Sequence, residues 1–373
     1  MRTMIWMRAL WLLAAGCSFD PTSASVGNDG SIADSTPRDA AGLCFGSSGW
    51  SVCLEALPVD PLVLSGLLDT TNDPRCTTPT PPSWQAGGQD DACIVVATRI
   101  TIDGSSTLRS IGTRPLVLVG TESITIDGTL DVASHRGGAN PIGPDANAAE
   151  CPAPGSGSSA NNEGGGGAGG SFGGKGGNGG SPAGGGTGGL ALAAELAPYN
   201  HLHGGCRGGD GAAGDDNTTG GGPGGGAGFL VAGTIMIAGT IDASGAGGSD
   251  GDPVSGGGGG GGSGGMIALH AATLTVAGRL VANGGGGAAG ADANDPDSSA
   301  SDPDPGQPGV PAGGGTVGGS GGDGGAGAAG LIDAVVGQSS NDSGGGGGGG
   351  VGVIRVVSGQ PIASANISPP VTN

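Results

Sequence analysis

The side chains able to do chemistry are few and unevenly spread: seven cysteines, four histidines and a scatter of acids in a chain of 373 residues. His201-Leu202-His203-Gly204-Gly205-Cys206 sets two imidazoles and a thiol at a spacing that a metal could use. Commitment of Cys206 to a disulfide would leave two histidines, a poor ligand set, so neither a metal nor a cofactor is expected. Cleaving a polysaccharide takes carboxylates positioned as acid and base. Asp103 and Asp127 hold equivalent places in two copies of one motif and are expected to face outward in one row. That row ends at Ala238 and Ala277 in the later copies. Asp131 and Asp242 form a second sparse row. An outward Asp beside a turning Gly is ordinarily a corner residue, so no catalytic residue is expected. The most acidic stretch, Asp292 to Pro305, lacks the spacing of known calcium loops and reads as a solvated segment. No nucleophile elbow is present, and no glycine run leads into Lys-Ser or Lys-Thr, so the glycines are not a phosphate loop.

The cysteines say more. Met1-Arg2-Thr3-Met4-Ile5-Trp6-Met7-Arg8 is a short positive start, and Ala9 to Ala15 is an apolar run too short to span a bilayer. It closes on Ala14-Ala15-Gly16-Cys17, which resembles a bacterial lipobox: small residues for the signal peptidase, then the cysteine that is acylated. The resemblance implies lipidation at Cys17, and Ser18 after it resembles outer-membrane sorting in Gram-negative lipoproteins. Several acyl chains on one cysteine anchor a protein stably. With Cys17 set aside, Cys44, Cys53, Cys76, Cys93, Cys151 and Cys206 remain, an even count that implies disulfides in an exported chain. Several pairings are open, and the sequential one is adopted: Cys44–Cys53, Cys76–Cys93 and Cys151–Cys206.

Composition sets limits on partners. Gly contributes 92 residues and Pro 25, with a formal net charge of −20. Such acidity repels phosphate backbones, so nucleic-acid binding is not expected.

The elements that must position these residues repeat. Ile100-Thr101-Ile102-Asp103-Gly104 returns unchanged as Ile124-Thr125-Ile126-Asp127-Gly128, and in weaker form at Ile235 to Gly239 and Leu274 to Gly278. Alternating apolar and polar residues closed by Gly mark a short half-buried strand ending at a corner. Taken with their neighbours, Pro115 to Val119, Ser123 to Asp127 and Gly128 to Ser134 read as three short strands making one coil. Similar sets begin at Gly228 and Met266, and Val351 to Val357 starts a last one. The pattern resembles the right-handed parallel β-helix of pectin-degrading enzymes and many surface proteins. It predicts an all-β, closed parallel solenoid with Ile102, Ile126, Ile237 and Val276 in one inward ladder and Leu130, Ile241 and Leu280 in another.

Glycine-rich excursions separate the coils at roughly 137–227, 245–265 and 284–350. Two keep a three-residue beat, with Lys175, Asn178 and Ser181 standing apart in glycine, and likewise Ser320, Asp323, Ala326 and Ala329. A Gly-Gly-X beat suits an extended helix with three residues per turn, packed side by side as in polyglycine II. The glycine content resembles that of PE-PGRS proteins, although no PE-type helical segment precedes it. The expected organisation is a signal peptide at 1–16, a flexible tether at 17–41, a cysteine-bearing cap at 42–98 and a Gly-rich solenoid at 99–373. Trp50 and Trp84 are expected to pack rather than bind. The chain reads as a non-enzymatic lipoprotein of the outer membrane, structural or adhesive, held to the membrane by its lipid and contacting surface glycans or other cells. A polysaccharide-active enzyme and an ice- or surface-binding module are the alternatives.

Overall fold

In the first half of each long repeat both faces of the chain are apolar, as in Leu116-Val117-Leu118-Val119, whereas Ser123-Ile124-Thr125-Ile126 alternates. A parallel sheet covered on both sides reads as the first kind of run, and one covered on a single side as the second. The computed structural model joins the two kinds into single strands. It describes residues 43–372 apart from 48, 78–79, 214–218, 251–254, 292–299, 360–361 and 363–365. The expected signal peptide and tether, with Cys17, lie outside the described residues, as does most of the acidic stretch at 292–305.

The first elements are a small antiparallel pair, β1 (Cys44–Phe45) and β2 (Val52–Cys53). Next come β3 (Leu62–Val63), β4 (Gly66–Asp69) and a short helix, α1 (Pro82–Ala86). The repeats then alternate a long and a short strand: β5 (Cys93–Ile102) and β6 (Thr107–Ile111), then β7 (Leu116–Ile126) and β8 (Thr129–Asp131). A two-residue antiparallel pair, β9 (Ser159–Ala160) and β10 (Glu163–Gly164), sits in the first glycine tract. The alternation resumes with β11 (Ala227–Ile237) and β12 (Thr240–Asp242), then β13 (Met266–Val276) and β14 (Arg279–Val281). It ends with β15 (Val353–Ser358) and β16 (Ile367–Ser368). The long strands form one six-stranded parallel sheet in the order β15-β13-β11-β7-β5-β3, and the short strands a second in the order β16-β14-β12-β8-β6-β4.

This corrects the closed three-strand solenoid expected from the sequence. Two six-stranded parallel sheets form, no third parallel sheet completes a closed coil among the described residues, and the first two expected strands of each repeat are one continuous strand. The physical reason lies at Gly120, Thr121 and Glu122, where a corner was expected. The chain bends there without leaving its hydrogen-bond ladder, and β7 carries an extra residue relative to both neighbours. Inward residues change phase across the bend in β5, from Val95 and Ala97 to Ile100 and Ile102, and in β11, from Leu230 and Ala232 to Ile235 and Ile237. The extra residue lets β7 keep Leu116, Leu118, Ile124 and Ile126 in one phase, so both halves of each strand face one core.

That core lies between the two sheets. Ile102, Ile126, Ile237 and Val276 occupy one register row, and Leu108, Leu130, Ile241, Leu280 and Ile367 another. Each fully buried aliphatic contributes roughly 1.5–3 kcal/mol. A second cluster covers the opposite face of the long-strand sheet, where Ile94, Val117, Phe229, Met266 and Val353 meet Trp50, Trp84, Phe172 and Leu202. Trp50 stands edge-on to Trp84 and Phe229 at 6.4 and 5.5 Å between ring centroids, so both tryptophans are packing residues. Of the aliphatic residues expected to cap the core, Leu64 and Leu68 are buried in it, while Leu57, Val59, Val63 and Leu67 are exposed.

The described parts of the glycine tracts are tied to one another through their backbones. Residues 344–352 show how. Gly344, Gly347 and Gly350 donate their N–H groups to the carbonyls of Gly164, Gly167 and Gly170 at 2.8–2.9 Å. Gly345 and Gly348 donate instead to Gln338 and Val335, and Gly346, Gly349 and Gly352 to Ala288, Gly285 and Ala282. Successive residues thus point to three different neighbours, the pattern of an extended chain with three residues per turn. Close approach requires glycine: a Cβ built on Gly347 would fall on the carbonyl of Gly177. The three disulfides are Cys44–Cys53, Cys76–Cys93 and Cys151–Cys206. Among the described residues no helix is long and apolar enough to cross a membrane.

Candidate functional site

The Cys151–Cys206 bridge draws together segments that are far apart in sequence and walls one side of a cavity of about 450 Å³. Glu150, Phe172, Glu195, His201 and His203 line it. Gln89, itself buried, fixes the neighbouring backbone: its amide donates to the carbonyls of Gly49 (2.9 Å) and Asn200 (2.6 Å), and its carbonyl oxygen accepts from the N–H of Leu202 (2.9 Å). His201 is thereby held between two anchored residues and beside Asp90, whose own carbonyl accepts the indole N–H of Trp84 at 2.8 Å. Asp90, Glu150 and His201 each offer a ligand atom, and the three atoms lie within 4.8 Å of one another.

His203 has other work. Its ring is buried, with Nε2 at 3.1 Å from a carboxylate oxygen of Glu195 and Nδ1 at 2.8 Å from the carbonyl of Gly204. Behind it, burial pushes the Asp145 carboxyl up to about 7; the N–H of Gly204 and the charge of His203 oppose the rise, while Glu150 and Asp90 add to it. Asp90 is also raised, first by burial and then by its hydrogen bond to and the charge of Glu150, with His201 and His203 pulling the other way.

The residues singled out in the sequence fare unequally. His201, His203 and Cys206 do converge, but Cys206 is in a disulfide and His203 is occupied, so only His201 is left for a ligand. Asp103 and Asp127 stay exposed where the long strands end, and their row does end at Ala238 and Ala277. Asp131 and Asp242 do form the second row, but neither stands exposed as an outward corner residue would. They are register partners, and Asp242 is only 3% exposed. Asp131 accepts from Arg109 at 2.8 Å and lies 3.0 Å from Nε2 of His135. Burial alone would raise Asp131, but His135, Arg109 and the N–H of Ala133 together bring it below the usual carboxylate range. His135 rises in turn, chiefly through Asp131. Burial pushes Asp242 up to about 6, although Ser244 donates to it through both Oγ and its backbone N–H. These form a structural network beneath the surface, not a substrate-facing pair.

The chain matches no protein-family model, no curated protein and no solved structure. The residues missed in the sequence are Asp90, Glu150 and Glu195, each an isolated acid with no local motif. Only the adjacency of Glu150 to Cys151, once that cysteine is paired with Cys206, carried a signal that it would lie near His201.

Among other acids, Asp302 accepts from the N–H groups of Arg136 (2.7 Å) and Gly247 (2.8 Å), and Asp304 from that of Gly306 (2.7 Å). The described part of the acidic stretch is thus engaged with backbone donors.

Proposed function

We propose that the protein is an exported, lipid-anchored bacterial surface protein with a non-enzymatic, structural or adhesive role. The observation that carries the adhesive reading is the rim of the glycine layer. Leu190 and Leu196 are 70% and 86% exposed, and Leu331 and Val336 89% and 57%. These two apolar segments flank the same central chain, since Gly179 donates to Gly189 and Gly337 donates to Asn178. Large apolar side chains grouped on a rigid support mark a contact surface rather than a solvated one. The lipobox-like Ala14-Ala15-Gly16-Cys17 supports the membrane address, and three disulfides suit an oxidising compartment.

The test has two parts. Cys17→Ser is expected to abolish incorporation of labelled palmitate and to release the protein from the membrane fraction. Leu190→Glu combined with Leu331→Glu is expected to lower adherence of the protein to bacterial cells or immobilised glycans, with the circular dichroism spectrum unchanged. Adherence equal to that of the unaltered chain would sink the adhesive reading. A second reading, glycan cleavage, is favoured by the carboxylates of Glu150 and Glu195 along the cavity. New reducing ends or unsaturated products from pectin, alginate or glucans would establish it in place of the first.

A further inference from the structure

We infer that Asp90, Glu150 and His201 form a binding site for one divalent transition-metal ion, with Zn²⁺ the best-fitting species, at the mouth of the cavity bounded by the Cys151–Cys206 bridge.

The donor set selects the ion. Two carboxylates and one imidazole supply two negative charges and a borderline nitrogen, a combination that suits zinc and its neighbours. Calcium and magnesium prefer shells made wholly of oxygen. Ligand atoms of a tetrahedral zinc shell stand about 3.4 Å apart, given bonds of about 2.0–2.1 Å. The three donors here are within 4.8 Å of one another, and all three side chains are exposed, so rotation about side-chain bonds closes the difference.

The backbone beneath them is prepared. Asp90 is held through its carbonyl by Trp84, and His201 lies between residues clamped by Gln89. Glu150 directly precedes a disulfide cysteine. Three ligands from three distant segments are thus fixed by a buried indole, a buried amide and a covalent bond. Two carboxylates placed side by side repel each other unless a proton or a cation lies between them, and the imidazole of His201 completes a set for a cation. His203 does not join, because both of its ring nitrogens already face oxygen partners. Three protein ligands would leave a coordination position open, and two of them, Glu150 and His201, also line the cavity of about 450 Å³. A small ligand with a carboxylate or hydroxyl oxygen has room to take that position.

The experiment is calorimetric titration of the full chain, purified in mild detergent and stripped with chelator, against Zn²⁺ and separately against Ca²⁺. One equivalent of Zn²⁺ is expected to bind with micromolar affinity. His201→Ala and Glu150→Gln are each expected to weaken binding at least about tenfold, and Ca²⁺ is expected not to compete at a large excess. Thermal unfolding of the chelated variants controls for loss of fold, because both changes are at exposed side chains. A Co²⁺-loaded sample supplies a visible absorption band that His201→Ala should shift or remove. Absence of Zn²⁺ binding, binding indifferent to both substitutions, or equal binding of Ca²⁺ would each overturn the assignment.

Discussion

The two sheets and the glycine layer hold together by opposite means, and their sensitivities should be opposite too. Between the sheets, stacked rows such as Ile100, Ile124, Ile235 and Leu274 exclude water, and stability comes from apolar area removed from solvent. In the glycine layer there is almost no side chain to bury. Stability comes from a lattice of backbone hydrogen bonds at 2.7–3.3 Å, each worth about 1 kcal/mol net, and from contacts so close that no Cβ fits. A sheet core is weakened when atoms are taken away. The glycine layer is weakened when atoms are added.

The largest expected effect therefore comes from adding a side chain in the middle of the lattice. Gly347→Val should cost more than about 4 kcal/mol or prevent folding, because the added atoms meet the carbonyl of Gly177 and neither chain can withdraw without losing its hydrogen bonds. Ile235→Ala, which empties part of the sheet core, should cost about 2–5 kcal/mol, and Ile235→Val only about 1. Urea titration of the three variants checks the order. If Gly347→Val were milder than Ile235→Val, the contrast between the two regions would be wrong.

Much of this contrast was legible in the sequence. The repeated Ile-Thr-Ile-Asp-Gly unit revealed the register rows, because alternation must match from strand to strand when one face is buried. The three-residue beat around Lys175, Asn178 and Ser181 signalled an extended packing of the tracts. What misled was Gly120. A glycine between two apolar runs reads as a corner, yet here it precedes a bulge inside a continuous strand, and two sheets result where a closed coil of three was expected. The doubly apolar run Leu116 to Val119 carried the correction, since it needs cover on both faces; that cover is Phe229's neighbours Trp50 and Trp84 together with Phe172. The cavity was less legible. Asp90, Glu150 and His201 have no common period, and a disulfide and one glutamine amide bring them together.

The junction between the regions offers a pH-dependent test. Asp242 ends a short strand where the chain leaves for a glycine tract, and burial raises its carboxyl to about 6. A raised carboxyl stabilises the fold in acid relative to neutral solution. Below about pH 4 the group is protonated folded or unfolded, so it imposes no cost. As pH rises towards 6 the unfolded chain ionises first and the native state is penalised; above 6 the penalty is constant. Asp242→Asn keeps an oxygen to accept from Ser244 and has no charge to bury. It should match the unaltered chain near pH 4 and be more stable near pH 8 by on the order of 2–3 kcal/mol. Equal stability at both pH values would show that Asp242 is ionised at little cost, stabilised by the network that includes His135.

The smallest expected effect isolates the cause of the first. If glycine is required in the lattice because of close approach and not merely because the tracts are flexible, then a glycine outside the lattice should tolerate a side chain. Gly309 is exposed, and a Cβ built there meets nothing within 4 Å. Gly309→Ala adds the same methyl group that the lattice cannot accept, and it also narrows the conformations open to the unfolded chain. The expected change is a gain of about 0.4–1 kcal/mol or none. Thermal unfolding beside Gly347→Ala makes the comparison direct, since the two variants differ only in what surrounds the new carbon. A loss at Gly309 as large as that at Gly347 would mean that backbone entropy, not the interlocked carbonyls, decides where this chain needs glycine.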